Sequence, residues 1–266
     1  MIYNHILGFT CSILIGMSLG LIGGGGSILT LPTLVYVIGI SPVVSSTYSL
    51  FIVGVVSLAG ALNAMYKKQV DYLSAALFAI PALIFVAISR QYFHAYLNTG
   101  TSNVVIMSFF AALIILAAAG MIRSERLNPF YARYTFPVRY GLLVVSAAII
   151  GSLTGIVGIG GGFLIVPVLV LLLHFPMNVA VGTSLVIISI KSLIGFAEDL
   201  KTITIDWSFL IFFSLTGIAG ICLGTSLSPY LEEARLKKYF GWFILCIGLG
   251  ILFKEVLLHS ITINHI

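Results

Sequence analysis

Long apolar stretches, separated by short polar connections, occupy almost the whole chain. Eight of them reach the length of about 18 residues that marks a candidate membrane span. They cover residues 6–39, 43–64, 72–89, 103–122, 140–174, 178–197, 207–226 and 239–258. A membrane β-barrel would instead show alternating segments of about ten residues. The pattern therefore predicts an all-α polytopic membrane protein.

The first and fifth stretches are too long for one ordinary span. At 34 and 35 residues, each would form a straight helix of about 50 Å, against a hydrocarbon core of about 30 Å. Each contains a glycine cluster, at 23–26 and at 158–162, and glycine is the poorest ordinary helix former. We expect each helix to break at its cluster, either within a single crossing or as a re-entrant hairpin.

An internal repeat relates the two halves of the chain. Residues 16–73 align with 151–208 at a constant offset of 135, and 17 of the 58 positions are identical. The shared glycines, prolines and aspartate set backbone turns, so a backbone shape has been duplicated. The sequence predicts two homologous four-segment units: a first transmembrane repeat (1–122), a basic cytoplasmic linker (123–139) and a second transmembrane repeat (140–266).

Composition and charge restrict the class and the topology. Only 8% of the residues are charged and the mean hydropathy is +1.17, whereas a soluble domain carries roughly 25% charged residues. The Lys and Arg residues behind the net charge of +5 lie almost entirely in short connections, which is positive-inside bias rather than a nucleic-acid surface. If both long stretches form hairpins, nine Lys and Arg residues lie on one membrane face and three on the other. If both stretches cross the membrane once, the numbers are eight and four. Hairpins, and hence inverted repeats, are favoured, and single crossings remain open.

The two glycine clusters are the first candidate binding site. A broken helix leaves free N–H groups at the start of its second arm, and with the positive end of the helix dipole these attract anions. Secondary transporters place their binding sites at such breaks. The alternative is close helix packing through small residues. The candidate substrate-binding residues here are Gly23, Gly24, Gly25, Gly26, Ser27, Gly158, Gly160, Gly161 and Gly162.

Further candidates lie in the spans that follow the clusters. The hydroxyls of Ser49, Thr183 and Ser184 could donate to a substrate or bridge helices. Lys191 is a basic residue well inside a span, and its counterpart in the first half is Val56. An ammonium at that depth costs at least about 2.5–3.5 kcal/mol on insertion scales, so it normally faces a cavity. We interpret Lys191 as a counter-charge for an anionic substrate.

Other polar residues predict ordinary roles. Lys191 could alternatively pair with Glu198 or Asp199. Asp71 and Asp206 open matched spans and are expected to cap helix N-termini. The His and Cys residues have no metal-site spacing, and we find no nucleophile–base pair on a span. No catalytic residue, metal or cofactor is therefore expected, and the protein is not expected to be an enzyme.

The doubled glycine motif resembles a known family. The stretches Gly20-Leu-Ile-Gly-Gly-Gly-Gly-Ser-Ile-Leu-Thr-Leu-Pro32 and Gly155-Ile-Val-Gly-Ile-Gly-Gly-Gly-Phe-Leu-Ile-Val-Pro167 are similar to the duplicated signature of the TauE/SafE sulfite exporter family. The Gly182-Thr-Ser-Leu185 stretch also matches. The resemblance implies an integral membrane permease for sulfur-containing anions, with a binding role for both glycine clusters and for Ser49, Thr183 and Ser184.

Together these observations predict a secondary transporter of small sulfur-containing anions, such as sulfite or organosulfonates. Export is the expected direction, and protons are one candidate for the coupling ion. The expected partners are a small anionic substrate and the lipid bilayer, without nucleic acid, in the cell (inner) membrane as a multi-pass protein. The oligomeric state, the anion and the coupling ion stay open. The alternative is a membrane anion sensor or assembly factor that does not transport.

Overall fold

The computed structural model describes residues 2–93, 136–157, 162–200 and 205–232, with short helical pieces within 111–123 and 235–253. The predicted stretches 103–122 and 239–258 therefore lie largely outside the described residues. The helices are α1 (Ile2–Ile22), α2 (Gly25–Pro32), α3 (Pro42–Tyr66), α4 (Tyr72–Phe93), α5 (Phe136–Val157), α6 (Ile165–Leu172), α7 (Met177–Asp199) and α8 (Trp207–Leu227). A π-helical turn, Thr33–Ile38, continues α2, and a 3-10 turn, Gly162–Leu164, leads into α6.

The described helices are those of a multi-pass membrane protein. By length and composition, α3, α4, α7 and α8 can each cross a bilayer. Of these, α7 is the most buried and α4 the least, so α7 is central and α4 lies at the periphery. The outward faces of α4 and α8 are apolar, with more than half of Ile80, Ile84, Phe212 and Leu215 exposed. Such faces are suited to lipid.

The first long stretch breaks at its glycine cluster and turns back. Helix α1 ends at Ile22 and α2 begins at Gly25. A Cβ built on Gly26 would lie 2.5 Å from the carbonyl oxygen of Ile15, and one on Gly8 would lie 3.0 Å from Ile38 Cδ1. Residues farther along the segment after the break thus contact residues nearer the start of α1, so this return arm runs antiparallel to α1. In this half the stretch has the geometry of a hairpin.

Helix boundaries recur at the offset that relates the two halves. Helices α1 and α5 end 135 residues apart, α3 and α7 begin 135 residues apart, and so do α4 and α8. Two left-handed residues, Gly39 (φ +87°) and His174 (φ +57°), also occupy equivalent positions at the ends of the two long stretches. The predicted N-caps are confirmed, because Asp71 Oδ1 accepts from the Ser74 N–H at 2.9 Å and Asp206 Oδ1 from Phe209 at 3.1 Å.

Equivalent helices α3 and α7 pack against each other in opposite directions. Near the start of α3, Thr47 Oγ1 donates to Asp199 Oδ2 at the end of α7, at 3.1 Å. Near the end of α3, a Cβ built on Gly182 would lie 3.0 Å from the Ala64 Cβ. The start of α3 therefore contacts the end of α7, and the end of α3 contacts the start of α7, so the two central helices are antiparallel.

The peripheral helices pair across the halves. Helix α1 packs on α8 of the second half, and α4 of the first half packs on α5. A Cβ on Gly16 would meet the Gly217 carbonyl, and one on Gly20 would lie 3.1 Å from the Gly224 Cα. Backbones this close are typical of small-residue contacts between membrane helices. Part of the repeated glycine pattern therefore serves packing between the halves.

Candidate functional site

The first break is built around a glycine that no other residue can replace without strain. Gly23 has φ +78°, in the left-handed region, and its N–H donates to the Leu19 carbonyl at 2.8 Å. A Cβ at this position would lie 2.6 Å from Ser184 Oγ and 2.8 Å from the Val181 Cα. Both the backbone conformation and the space therefore require glycine here.

Ser184 of the central helix α7 forms a hydrogen bond with this break. Its side chain is fully buried, and its hydroxyl lies 2.9 Å from the carbonyl oxygen of Gly23 and 2.8 Å from that of Val181. The hydroxyl is thus a donor to backbone carbonyls. It satisfies an acceptor that an irregular backbone would otherwise leave unpaired inside a membrane protein.

The return arm begins directly after the break. Gly24 is the N-cap of α2, with φ −157° and no side-chain cap, and Gly25, Gly26 and Ser27 form the first turn of α2. The side chain of Ser27 lies outside the described residues. Since glycine supplies no side-chain acceptor, the side chain of the N-cap does not itself satisfy the opening N–H groups of α2. The arm also contacts the 3-10 turn of the second half.

The second break is described only at its edges. Helix α5 ends at Val157, and Gly158, Gly160 and Gly161 lie outside the described residues. Gly162 is buried and opens the 3-10 turn before α6. Helix α2 and the buried turn that begins at Gly162 are in contact.

The matched hydroxyl positions bridge the two halves. Thr183 Oγ1 accepts the backbone N–H of Asp71 at 3.0 Å, and the Tyr48 hydroxyl, its counterpart, accepts that of Asp206 at 2.8 Å. Each half therefore positions the N-cap of the other. Ser49, the counterpart of Ser184, is buried in α3 with 8% of its surface exposed.

Lys191 is buried in the middle of α7 and holds the end of α5. Only 6% of its surface is exposed, and its Nζ donates to Thr154 Oγ1 at 2.8 Å. Thr154 in turn donates to the Gly151 carbonyl at 3.2 Å. Because Thr154 lies in the last turn of α5, this bond places the ammonium beside the approach to the second break.

The polar pair of the second half replaces an apolar pair in the first. The offset that equates Lys191 with Val56 equates Thr154 with Leu19, and both Val56 and Leu19 are completely buried. Thr154 was not among the predicted residues. Comparing the halves position by position for coordinated apolar-to-polar changes would have found it.

Ser192, next to Lys191, is a second residue that the prediction missed. Its hydroxyl is buried and has no hydrogen-bond partner within the described part of the chain. Its counterpart Ser57 donates to carbonyls of its own helix, Val53 and Gly54. An unmet buried hydroxyl costs about 1–3 kcal/mol. Ser74 and Ser214 share this property, and Ser192 differs from them in following Lys191 directly in the sequence.

Comparisons with known proteins agree over nearly the whole length. The family described as Sulfite exporter TauE/SafE matches residues 8–251. A probable membrane transporter protein of Xylella fastidiosa (strain Temecula1) is 29% identical over 250 residues, 91% of this chain and 92% of that protein. The probable membrane transporter protein YunE of Bacillus subtilis (strain 168) is 24% identical over 272 residues, 94% of this chain and 99% of that protein. No solved structure gives a significant match.

Proposed function

The chain belongs to the TauE/SafE sulfite exporter family of membrane transporters, and on that premise we propose that it exports small sulfur-containing anions such as sulfite or organosulfonates. Transport would be secondary, because the sequence carries no phosphate-binding loop for ATP. Protons are the coupling ion that we propose to test first.

The observation that carries the proposal is the buried bond between Lys191 and Thr154. A lysine inside a span is costly to insert and is typical of a substrate or ion pathway. The equivalent positions of the first half hold Val56 and Leu19, so the fold itself does not need a polar pair there. We therefore assign the ammonium to the anion, which it would meet beside the end of α5.

The remaining candidate residues fall into two groups, those that contact the anion and those that position the site. We propose that Lys191, Ser192 and the N–H groups opening the two return arms contact the anion, with Gly23 to Gly26 and Gly158 to Gly162 shaping these arms. Ser184 and Thr183 would position the site, since their hydroxyls already serve backbone groups. Ser27 and Ser49 remain proposed contacts.

We further propose that the two repeats are inverted across the membrane. The antiparallel packing of α3 and α7 supports this, because these helices hold equivalent places in the two repeats. The fold-back of α2 on α1 also supports it, since a hairpin leaves the membrane on the side from which it entered. Alternating access would then move helices relative to the central pair α3 and α7.

The experiment is the flux of radiolabelled sulfite across proteoliposomes containing the purified chain, with and without an imposed pH gradient. Sulfoacetate, thiosulfate, sulfate and chloride are added as competitors. Saturable flux that sulfoacetate blocks and chloride does not is the expected result, and stimulation by the pH gradient would establish proton coupling. Binding without flux would instead indicate a sensor, and neither binding nor flux would overturn the sulfur-anion assignment.

A further inference from the structure

A polar crevice opens beside the first break, at the end of α3 that leads into Lys67. It lies between α1, α3, α7 and α8. Its polar lining consists of Asn63, Lys67, Gln69, Asn178, Thr225 and Ser228. The lining therefore carries one cation and no carboxylate.

The crevice adjoins the first break without including it. Val181 and Gly182 line it, and Val181 also contacts the position where a Cβ of Gly23 would stand. An ion held in the crevice would thus be one residue layer away from the break that opens α2.

Two amide side chains of the crevice are held in defined orientations. Asn63 Nδ2 donates to Thr225 Oγ1 at 3.0 Å, which fixes Asn63 across the crevice. Asn178 Oδ1 accepts the N–H of Val179 at 2.9 Å, so its acceptor end is used by the backbone and its amide nitrogen remains the donor end. Amide donors near an ammonium favour a ligand with several acceptor oxygens.

At the opposite end of the central helix pair, the described residues carry different side chains. The offset of 135 equates Asn63 with Glu198 and Ala64 with Asp199, and equates Gly182 with Thr47. At that end Thr47 Oγ1 donates to Asp199 Oδ2, so larger polar side chains stand where Ala64 and Gly182 leave room. Among the described residues, the two ends of the central helix pair therefore differ, and the amide-lined crevice lies at the end that carries Lys67.

We propose that this crevice is a separate capture site for a small oxyanion or sulfonate, which it delivers to the first break; this rests on the proposed function. Lys67 attracts the anion, and Asn63 and Asn178 donate to its oxygens. The nearest acid along the chain, Asp71, is committed to capping α4 through its bond with Ser74. The site thus adds a binding step on one face of the membrane, before the anion reaches Lys191.

The test uses a cysteine at Ser228, which is partly exposed, lines the crevice and is not one of the proposed anion contacts. Ser228→Cys is placed in a chain whose Cys11, Cys222 and Cys246 are changed to Ala, and it is labelled in detergent with methanethiosulfonate reagents bearing a sulfonate or a trimethylammonium group. We expect the sulfonate reagent to react faster, and Lys67→Gln to lower its rate about two- to fivefold, the effect of one exposed charge. The matched control is Lys68→Gln, which removes the adjacent exposed charge outside the crevice lining.

Protection by a free anion completes the test. Sulfoacetate should slow the labelling of Ser228→Cys, and Lys67→Gln should abolish the protection while Lys68→Gln preserves it. Absent protection, or equal effects of the two substitutions, would overturn the capture site. With the native cysteines, Lys67→Gln should also raise the KM of flux from the crevice side, and an unchanged KM would contradict the proposal. Labelling needs no transport, so protection without flux would overturn only the proposed function, and flux without protection only the capture site.

Discussion

The hydroxyl of Ser184 lies 2.9 Å from the carbonyl oxygen of Gly23, so a central helix of the second half holds the glycine break of the first. The geometry of the break is thus not a property of the glycine cluster alone. It depends on a hydrogen bond between residues 161 positions apart in sequence.

Ser184→Ala should weaken both the break and transport. The change leaves a buried carbonyl without this donor, at a cost of about 1 kcal/mol. We expect a lower unfolding temperature in detergent and a lower maximal sulfite flux. Ser189→Ala is the matched control, because Ser189 is equally buried in α7 but donates only to Val186 of its own helix. Indistinguishable variants would contradict a special role for Ser184.

Gly23→Ala should be far more damaging than Gly39→Ala. Both positions have positive φ, so each substitution costs about 1–2 kcal/mol in backbone strain. Only at Gly23 would the new Cβ also lie 2.6 Å from Ser184 Oγ, whereas nothing lies within 4 Å at Gly39. Thermal unfolding and flux measure the difference. Equal losses would show that the close approach of α7 to the break is unimportant.

Lys191→Met should abolish saturable flux while leaving a monodisperse protein, because it removes the proposed counter-charge. Lys68→Met, which removes an exposed cation, should leave flux near the wild-type value. Unchanged flux in a well-expressed Lys191→Met protein would exclude this lysine from the substrate site.

Thr154→Val should reduce apparent sulfite affinity about tenfold or more, since a hydrogen bond to a charged group contributes about 1.5–3 kcal/mol. Thr154→Ser keeps the hydroxyl 2.8 Å from Lys191 Nζ and should preserve affinity. The affinities of the two variants are compared through the KM of sulfite flux. A loss in Thr154→Ser as large as in Thr154→Val would mean that packing, not the bond, is responsible.

Single cysteines at Ser41 and His174 should be labelled from opposite sides of the membrane. Both residues are exposed and follow the long apolar stretches of their halves. Hairpins in inverted repeats place them on opposite faces, whereas single crossings in parallel repeats place them on the same face. The measurement is modification by an impermeant thiol reagent in right-side-out and inverted vesicles. Labelling of both from one side would overturn the inverted arrangement.

The sequence predicts the first break and the helix caps well because single residues decide them. A positive φ at Gly23 requires glycine, and Asp71 and Asp206 cap their helices through bonds within one turn. The direction of the return arm, by contrast, cannot be predicted from single residues. Apolar composition is the same whether the arm continues or turns back, so the direction is decided by contacts between distant residues, Gly26 with Ile15 and Ile38 with Gly8.

The roles of the hydroxyl residues also depended on distant partners. Nothing near Thr183 in the sequence indicates that it accepts the N–H of Asp71, 112 positions away. The Lys191–Thr154 bond joins two helices in the same way. A charge inside a span could be found from the sequence, but the group that holds it could not.

The crossed pairing of α1 with α8 and of α4 with α5 bears on the history of the fold. Each half buries its glycine faces on helices of the other half, so a half made alone has no surface to cover them. If the repeats are inverted as proposed, an ancestor before gene duplication had to insert into the membrane in both orientations and pair with an inverted copy of itself. The duplication then fixed one copy in each orientation, which allowed Lys191 and Thr154 to arise in only one of them.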